Sequence, residues 1–424
     1  MARILTYTSP ARGHLFPIVP VLEELRSRGH EVTLRTLASQ VDAMRAIGFD
    51  AAPIDPAIEA VEHDDYGART PLGALKRSVR TFGERAKHDG SDLRRAIDDV
   101  HPDALLVDVS CWGGWAIAES WGGPWAAWCP YPLPIPSHDA PPFGLGLPPA
   151  RGPLGRLRDR LLRPLTFAPL ERMVGSAANE VRDHVGLRPI TDAEDLFTRP
   201  PLLMYTTAEP FEYPRSDWPP NVRLVGPCDW DPPAEPPAWL QEIEEPIVLV
   251  TTSSEFQDDG RLVRVALDAL AGEPVHVVAT LPSADTSAIE PTPNSHVLPF
   301  VPHAAILDRA ACAITHGGMG ATQKALARGV PVCVVPFGRD QLEVARRVEV
   351  AGAGSRLPAK RLNPGRLRNA VKEAMGRAEG ASRVADAYRA TGGVAAAADS
   401  FEELLRLRLP ALQRAPKNTM PRVP

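Results

Sequence analysis

The chain is short of cysteine, of long apolar runs and of any strong charge excess, and each shortage closes off a class of function. Its five cysteines among 424 residues, Cys111, Cys129, Cys228, Cys312 and Cys333, are odd in number and scattered, with no C-x-x-C pair. A disulfide framework and a dithiol redox centre are therefore not expected, and the thiols read as small buried apolar groups. Zinc spacing is absent among the 11 histidines. No segment approaches the ~20 apolar residues needed to span a bilayer. The N-terminus, MARILTYTSPARGHLFP, lacks the long uncharged core of a signal peptide and reads as a first strand, so a cytoplasmic location is expected. A formal net charge of −5 offers no electrostatic case for a nucleic-acid partner.

What is present points to an ordinary α/β protein with two domains. Apolar residues make up 44% and charged ones 23%, and the length exceeds what a single growing core accommodates. The 46 prolines cluster at 130–153, 199–237 and 410–424 and mark loops and linkers. Strand and helix patterns alternate from RILTYT (3–8) through EVTLRT (31–36), ALLVD (104–108) and WAAW (125–128). The proline-rich run from 129 to 153 interrupts them and is too long for an idle connection. Two helices are expected at about 154–165 and 167–186, then short strands near 202–206 and 222–225. The alternation restarts at IVLVTT (247–252). The resulting division is an N-terminal domain at 1–225, a linker at 226–245 and a C-terminal domain at 246–390. A last helix follows at 391–410, then a flexible tail at 411–424.

The stretch ITHGGMGATQKALARGVPVCVVP (314–336) reads as strand, glycine turn, helix, strand. Gly317, Gly318 and Gly320 fall where the helix begins, which suits phosphate because the first N–H groups are unpaired and the dipole end is positive. His316 and Thr322 add side-chain donors. Glycine spacing alone is weak evidence, and a tight βαβ turn is the plain alternative. With FVPHAAIL upstream and PFGRDQLEVARRVEVAGAG downstream, however, Phe300 to Gly354 resembles the nucleotide-sugar signature of GT-B glycosyltransferases. The bacterial macrolide and antibiotic enzymes and the UDP-glycosyltransferases are the nearer resemblance. That implies two Rossmann-like domains facing across a cleft, with the last helix crossing back onto the first domain.

The resemblance extends to single residues. GHLFP places His14 as the base that deprotonates an acceptor and Asp108 as its orienting partner; without it, a loop histidine and a backbone-bonded carboxylate remain open. On the donor side it implies Ser253 and Ser254 in a phosphate loop, Phe300 and Val301 at the nucleobase, and His316, Gly318, Gly320 and Thr322 at the diphosphate. Asp340 and Gln341 are implied at the sugar hydroxyls, although Asp340 could equally cap the following helix. Trp112, Tyr131 and Phe143 are candidates for an apolar acceptor, with Trp115 and Trp128 in the same aromatic group, and ordinary core is the plainer reading for each of the three tryptophans. Lys324 departs from the pattern, standing where a glutamate would bind ribose; a lysine cannot accept those hydrogen bonds. No Asp-x-Asp motif of the metal-dependent kind is recognised, and neither metal nor cofactor is expected.

The implied activity is an inverting, metal-independent transfer of a hexose from UDP-glucose or a dTDP-sugar to a hydroxyl of a macrolide, polyketide or flavonoid. A nucleotide-sugar epimerase and a non-catalytic sugar-nucleotide-binding protein are the alternatives. A monomer or homodimer is expected. The arginine-rich segment 151–165 reads as a solvated helix face, with membrane contact the less expected reading.

Overall fold

The computed structural model describes residues 1–68, 70–257 and 259–412, so the expected tail lies outside the described residues from 413 onward. Two sheets organise them. The first contains β1 (Arg3–Tyr7), β2 (Glu31–Thr36), β3 (Asp50–Pro53), β4 (Ala104–Asp108), β5 (Trp125–Cys129), β6 (Leu202–Tyr205) and β7 (Val222–Leu224), in the order β3-β2-β1-β4-β5-β6-β7. The second contains β8 (Ile247–Thr251), β9 (His276–Thr280), β10 (Ser295–Leu298), β11 (Ala310–Thr315), β12 (Val332–Val334) and β13 (Gly354–Arg356), in the order β10-β9-β8-β11-β12-β13. Every pairing is parallel.

Helices cover both faces of each sheet, which is why β4, β5 and β8 are buried at every residue and read as unbroken apolar runs. Strand order reverses between β1 and β4 and again between β8 and β11. Open parallel sheets leave a crevice beyond the strand ends at such reversals. The segments just past β1 and β4, and past β8 and β11, therefore supply the walls of any site.

The helix Gly393–Leu412 returns to the first sheet. Its Ala397, Ala398, Phe401, Leu404 and Leu405 join the core formed by Leu22, Leu34, Trp128 and Met204. Arg28 to Asp399 (2.6 Å) and His30 to Glu402 (3.2 Å) tie its polar side. Removing the fully buried Phe401 ring should cost about 3–5 kcal/mol.

Three elements differ from expectation. The two helices anticipated on either side of residue 166 are one, Gly152–His184, with Pro164 and Pro169 inside it. Each proline deletes one backbone bond, and packing of the buried Phe167, Ala178 and Arg182 carries the helix across. The 57–74 region, whose sequence shows no clear period and reads as a loop, holds a short helix Pro56–Glu59 and a turn Asp65–Gly67, and the next helix begins at Pro71. β13 was not anticipated; three residues starting with glycine give no readable alternation.

Candidate active site

The N-terminal wall is built from the ends of β1 and β4. His14 sits in a single helical turn, Arg12–Leu15, anchored by the buried Leu15. Its Nδ1 lies 2.8 Å from Oδ2 and 3.0 Å from Oδ1 of Asp108. Asp108 is fully buried while the imidazole keeps 21% of its side-chain surface. The Asp108 Oδ1 also accepts from the Ser110 N–H (2.7 Å), and Oδ2 accepts from the Ser9 hydroxyl (3.1 Å). Its carbonyl accepts from the Trp115 indole at 3.0 Å. With both oxygens engaged the carboxylate is fixed, so it holds the proton on Nδ1 and leaves Nε2 as the accepting nitrogen.

Burial is the strongest influence on His14 and pulls its pKa down, but the charge and hydrogen bond of Asp108, with Glu255 and Asp340 assisting, carry it above the usual 6.5. Glu255 and Asp340 belong to the opposite half, so the imidazole faces across the cleft. The Tyr131 ring lies 5.7 Å from the imidazole, centroid to centroid. Trp112 is half-buried against Phe82, their rings 5.6 Å apart. Phe143 is half-buried in the proline-rich loop, which docks on the other domain through Gly144 and Gly146. Trp115 and Trp128 belong to the core.

The C-terminal wall is a helix start. Gly318 is the N-cap of Met319–Ala327 and leaves its first N–H groups without a side-chain cap. Gly317 adopts φ +98°, and a Cβ there would come within 2.9 Å of the Gln341 Cβ. A Cβ on Gly318 would fall 2.5 Å from Nε2 of His316, so the imidazole edge lies directly over the helix start. Gly320 opens onto free space. The His316 ring is buried, and burial pushes its pKa down to about 4. Its Nδ1 has only the Thr251 backbone nearby and no well-formed hydrogen bond. A neutral ring, free backbone donors and no acid in the first turn make a cradle for an anion.

Not every expected donor-side residue reaches that cradle. The Thr322 hydroxyl is fully buried and bonds the Thr315 hydroxyl at 3.1 Å, bracing the turn from inside. The Ser253 hydroxyl accepts from the Glu255 N–H and the Gln257 amide, so it shapes its own loop, with Ser254 half-buried beside it. Gln341 is buried; its Oε1 accepts from the N–H groups of Phe337 (2.7 Å) and Gly338 (3.0 Å), and its Nε2 donates to Gln257. The Val301 side chain is in the core, leaving only its backbone, while Phe300 is 45% exposed. Asp340 heads the helix Gln341–Val350 without capping it. Burial raises its pKa, and His14 is among the charges acting on it.

Lys324 is engaged elsewhere. Its ammonium donates to the Trp230 carbonyl (2.7 Å) and to Asp231 (2.6 Å), with Asp229 at 3.0 Å. Arg328 pairs with Asp229 as well. Asp229–Trp230–Asp231 does have the Asp-x-Asp spacing that the sequence reading passed over, and both carboxylates are held by cations of the second domain.

Sequence reasoning missed the ties between the halves. Arg339, one of two non-glycine residues with positive φ (+51°) among those described, binds Asp65 bidentately and Glu255 at 2.9 Å. Arg347, almost wholly buried, pairs with Glu212 at 3.0 Å and Glu343 at 2.9 Å. Glu343 also accepts from the N–H groups of Gly144 and Gly146, each at 2.9 Å. The partners that join one half to the other are separated by 135 to 274 positions, and no local pattern announces them.

Residues 264–404 match the family model described as the C-terminal domain of erythromycin biosynthesis protein CIII-like proteins. The chain is 36% identical over 426 residues to 4′-demethylrebeccamycin synthase of Lentzea aerocolonigenes, covering 95% of this chain and 100% of that protein. Among solved structures, the calicheamicin glycosyltransferase superposes with a TM-score of 0.73 at 23% identity, over 97% of this chain and 100% of the other. A spinosyn rhamnosyltransferase complexed with thymidine diphosphate superposes at 0.69 and 18% identity, over 94% and 100%.

Proposed function

Since the chain belongs to the GT-B glycosyltransferases of antibiotic and natural-product biosynthesis, we propose that it moves a hexose from a nucleoside diphosphate to a hydroxyl of an apolar natural product, with inversion and without a metal. The observation carrying this reading is the His14–Asp108 pair at 2.8 Å, with the acidic groups of the opposite half acting on it. Nε2 of His14 takes the proton from the acceptor hydroxyl as its oxygen bonds to the sugar C1. The bond from C1 to the phosphate oxygen breaks on the far side, and the nucleoside diphosphate leaves with the electron pair. Attack from the side opposite the leaving group inverts C1.

Asp108 stabilises the imidazolium formed in that step. The developing charge on the diphosphate meets the N–H groups after Gly318 and the ring of His316. Asp340 stands at the sugar and Tyr131, Trp112 and Phe143 at the acceptor. Gln341 and Ser253 serve by holding the loops 337–338 and 253–257 in place.

On the nucleotide, the engagement of Lys324 by Asp229 and Asp231 leaves no acceptor at the position where the resemblance implies a ribose-binding glutamate. This favours a dTDP-sugar over UDP-glucose, in keeping with the fold neighbour that holds thymidine diphosphate. Calorimetry with dTDP and UDP in competition tests the point; tighter binding of UDP would reverse it. The reaction itself is tested with His14→Ala. Transfer should be lost while donor binding persists, whereas near-native turnover would remove His14 from the mechanism. Turnover of donor to an epimer without acceptor would replace the reading altogether.

A further inference from the structure

The helix Gly152–His184 exposes a stripe that no other part of the described chain covers. Leu154, Leu157, Leu161 and Leu165 are 82%, 52%, 62% and 69% exposed, and their spacing places them along one side of the helix. Exposed single leucines are ordinary; four in one line, over about 18 Å of helix, are not. Arg160 borders the stripe about a quarter turn round the helix from it, Arg151 stands at its N-terminal end and Arg156 lies farther round, all three exposed. None of the three has an ion pair or hydrogen bond among the described residues. The other two arginines of the segment are engaged: Arg158 with Asp159 and the Pro148 carbonyl, Arg163 with the Ser137 carbonyl. Free arginines thus border exposed leucines, while the protein as a whole is acidic.

We infer that this stripe is a docking surface for an anionic lipid membrane, with the helix lying in the plane of the headgroups. Leucines facing acyl chains between unpaired arginines facing acidic headgroups is the pattern of an interfacial helix. Two other occupants fit less well. The remaining twelve residues, 413–424, carry Arg414, Lys417 and Arg422 and no acid, so they match an arginine-bordered face poorly. A second copy docking face to face would bring like charges together. Four leucine side chains also offer at most on the order of 500 Å² of apolar area, against the ~800 Å² per partner of a stable interface. Arg158, which the same spacing puts on the leucine side of the helix, bonds the Pro148 carbonyl, so the stripe lies beside the loop that bears Phe143. Docking does not depend on the roles assigned to His14 and Asp108; delivery of an amphiphilic acceptor to that loop would.

The test is sedimentation of the full chain with phosphatidylglycerol-containing vesicles and with pure phosphatidylcholine vesicles, at low and high salt. The variants are Arg151→Gln/Arg160→Gln and Leu157→Gln/Leu161→Gln. Both change exposed side chains, and unchanged circular dichroism and donor binding confirm their fold. Wild-type protein should sediment with the anionic vesicles and be released by salt. The arginine variant should bind about thirtyfold more weakly, and the leucine variant roughly tenfold or more so. Absence of sedimentation with either lipid, equal binding to neutral vesicles, or wild-type affinity in both variants would overturn the inference. So would a dimer in light scattering that the leucine variant disperses, because the stripe would then belong to a second copy.

Discussion

The two walls of the cleft are made on opposite principles. On the N-terminal side the chemistry lies in two side chains that satisfy each other: an imidazole held by a fully buried carboxylate that accepts two further bonds. On the C-terminal side it lies in the uncapped first N–H groups of a helix and in the Nε2 edge of a buried imidazole set over them. The hydroxyls that could have served there, Thr322 and Ser253, are turned inward to brace their loops. The contrast has a physical reason. A base must keep one tautomer and one orientation through many turnovers, which calls for a fixed partner. An anion cradle must be empty before its ligand arrives, and backbone donors at a helix start can remain unpaired without strain.

The sharpest way to break the comparison is to remove one member from each wall. His14→Ala should lower kcat by about 10³-fold and leave the dissociation constant for dTDP unchanged within a factor of two, by calorimetry. Gly318→Ala would place a Cβ 2.5 Å from the His316 ring and displace it. Loss of that donor and distortion of the helix start should cost about 10²-fold in kcat, and here dTDP affinity falls too. If both variants showed the same pattern, the division of labour between the walls would be wrong.

A third substitution addresses the seam. Arg347→Met leaves the buried Glu343 without its cation and Glu212 with Arg215 alone, and should destabilise the protein by about 3–5 kcal/mol, read as a fall in Tm. Arg347 and Arg215 together hold the Glu212 pKa below its ordinary value against burial, which is the larger influence and raises it. That contribution to stability is present above the ordinary glutamate range. It is lost as pH falls through the depressed folded-state value, and in Arg347→Met it should shrink. The smallest effect is expected from Thr322→Val, about 1 kcal/mol of stability from the lost bond to Thr315, with dTDP affinity unchanged. A large loss of affinity would place that hydroxyl at the phosphate after all.

Much of this was legible in the chain, and what was not has a common cause. That His14, Asp108 and the glycines at 317–320 sit where parallel strands end could be read from local pattern, whereas the pairing of His14 with Asp108 was an expectation from the family resemblance. The side-chain directions of Thr322, Ser253 and Gln341 could not be read, because whether a hydroxyl or amide faces a ligand or its own loop depends on bonds spanning only a few ångströms. The clasp of Arg339 on Asp65 and the binding of Lys324 to the linker join segments some 90 to 270 positions apart. Helix Gly152–His184 was divided in the sequence reading because prolines are local signals, whereas the packing that carries the helix past them is not.

The central claim is that Asp108 tunes His14 as the base. The pH dependence of kcat/KM, compared between wild type and Asp108→Asn, tests it most directly. In the wild type, activity should rise with pH through an inflection above 6.5, because the imidazole must lose its proton before it can accept another. Without the carboxylate charge, burial is opposed only by Glu255 and Asp340, so the inflection should move to lower pH while the plateau rate falls. An inflection that stays in place, or a profile with no acid limb in either protein, would contradict the account.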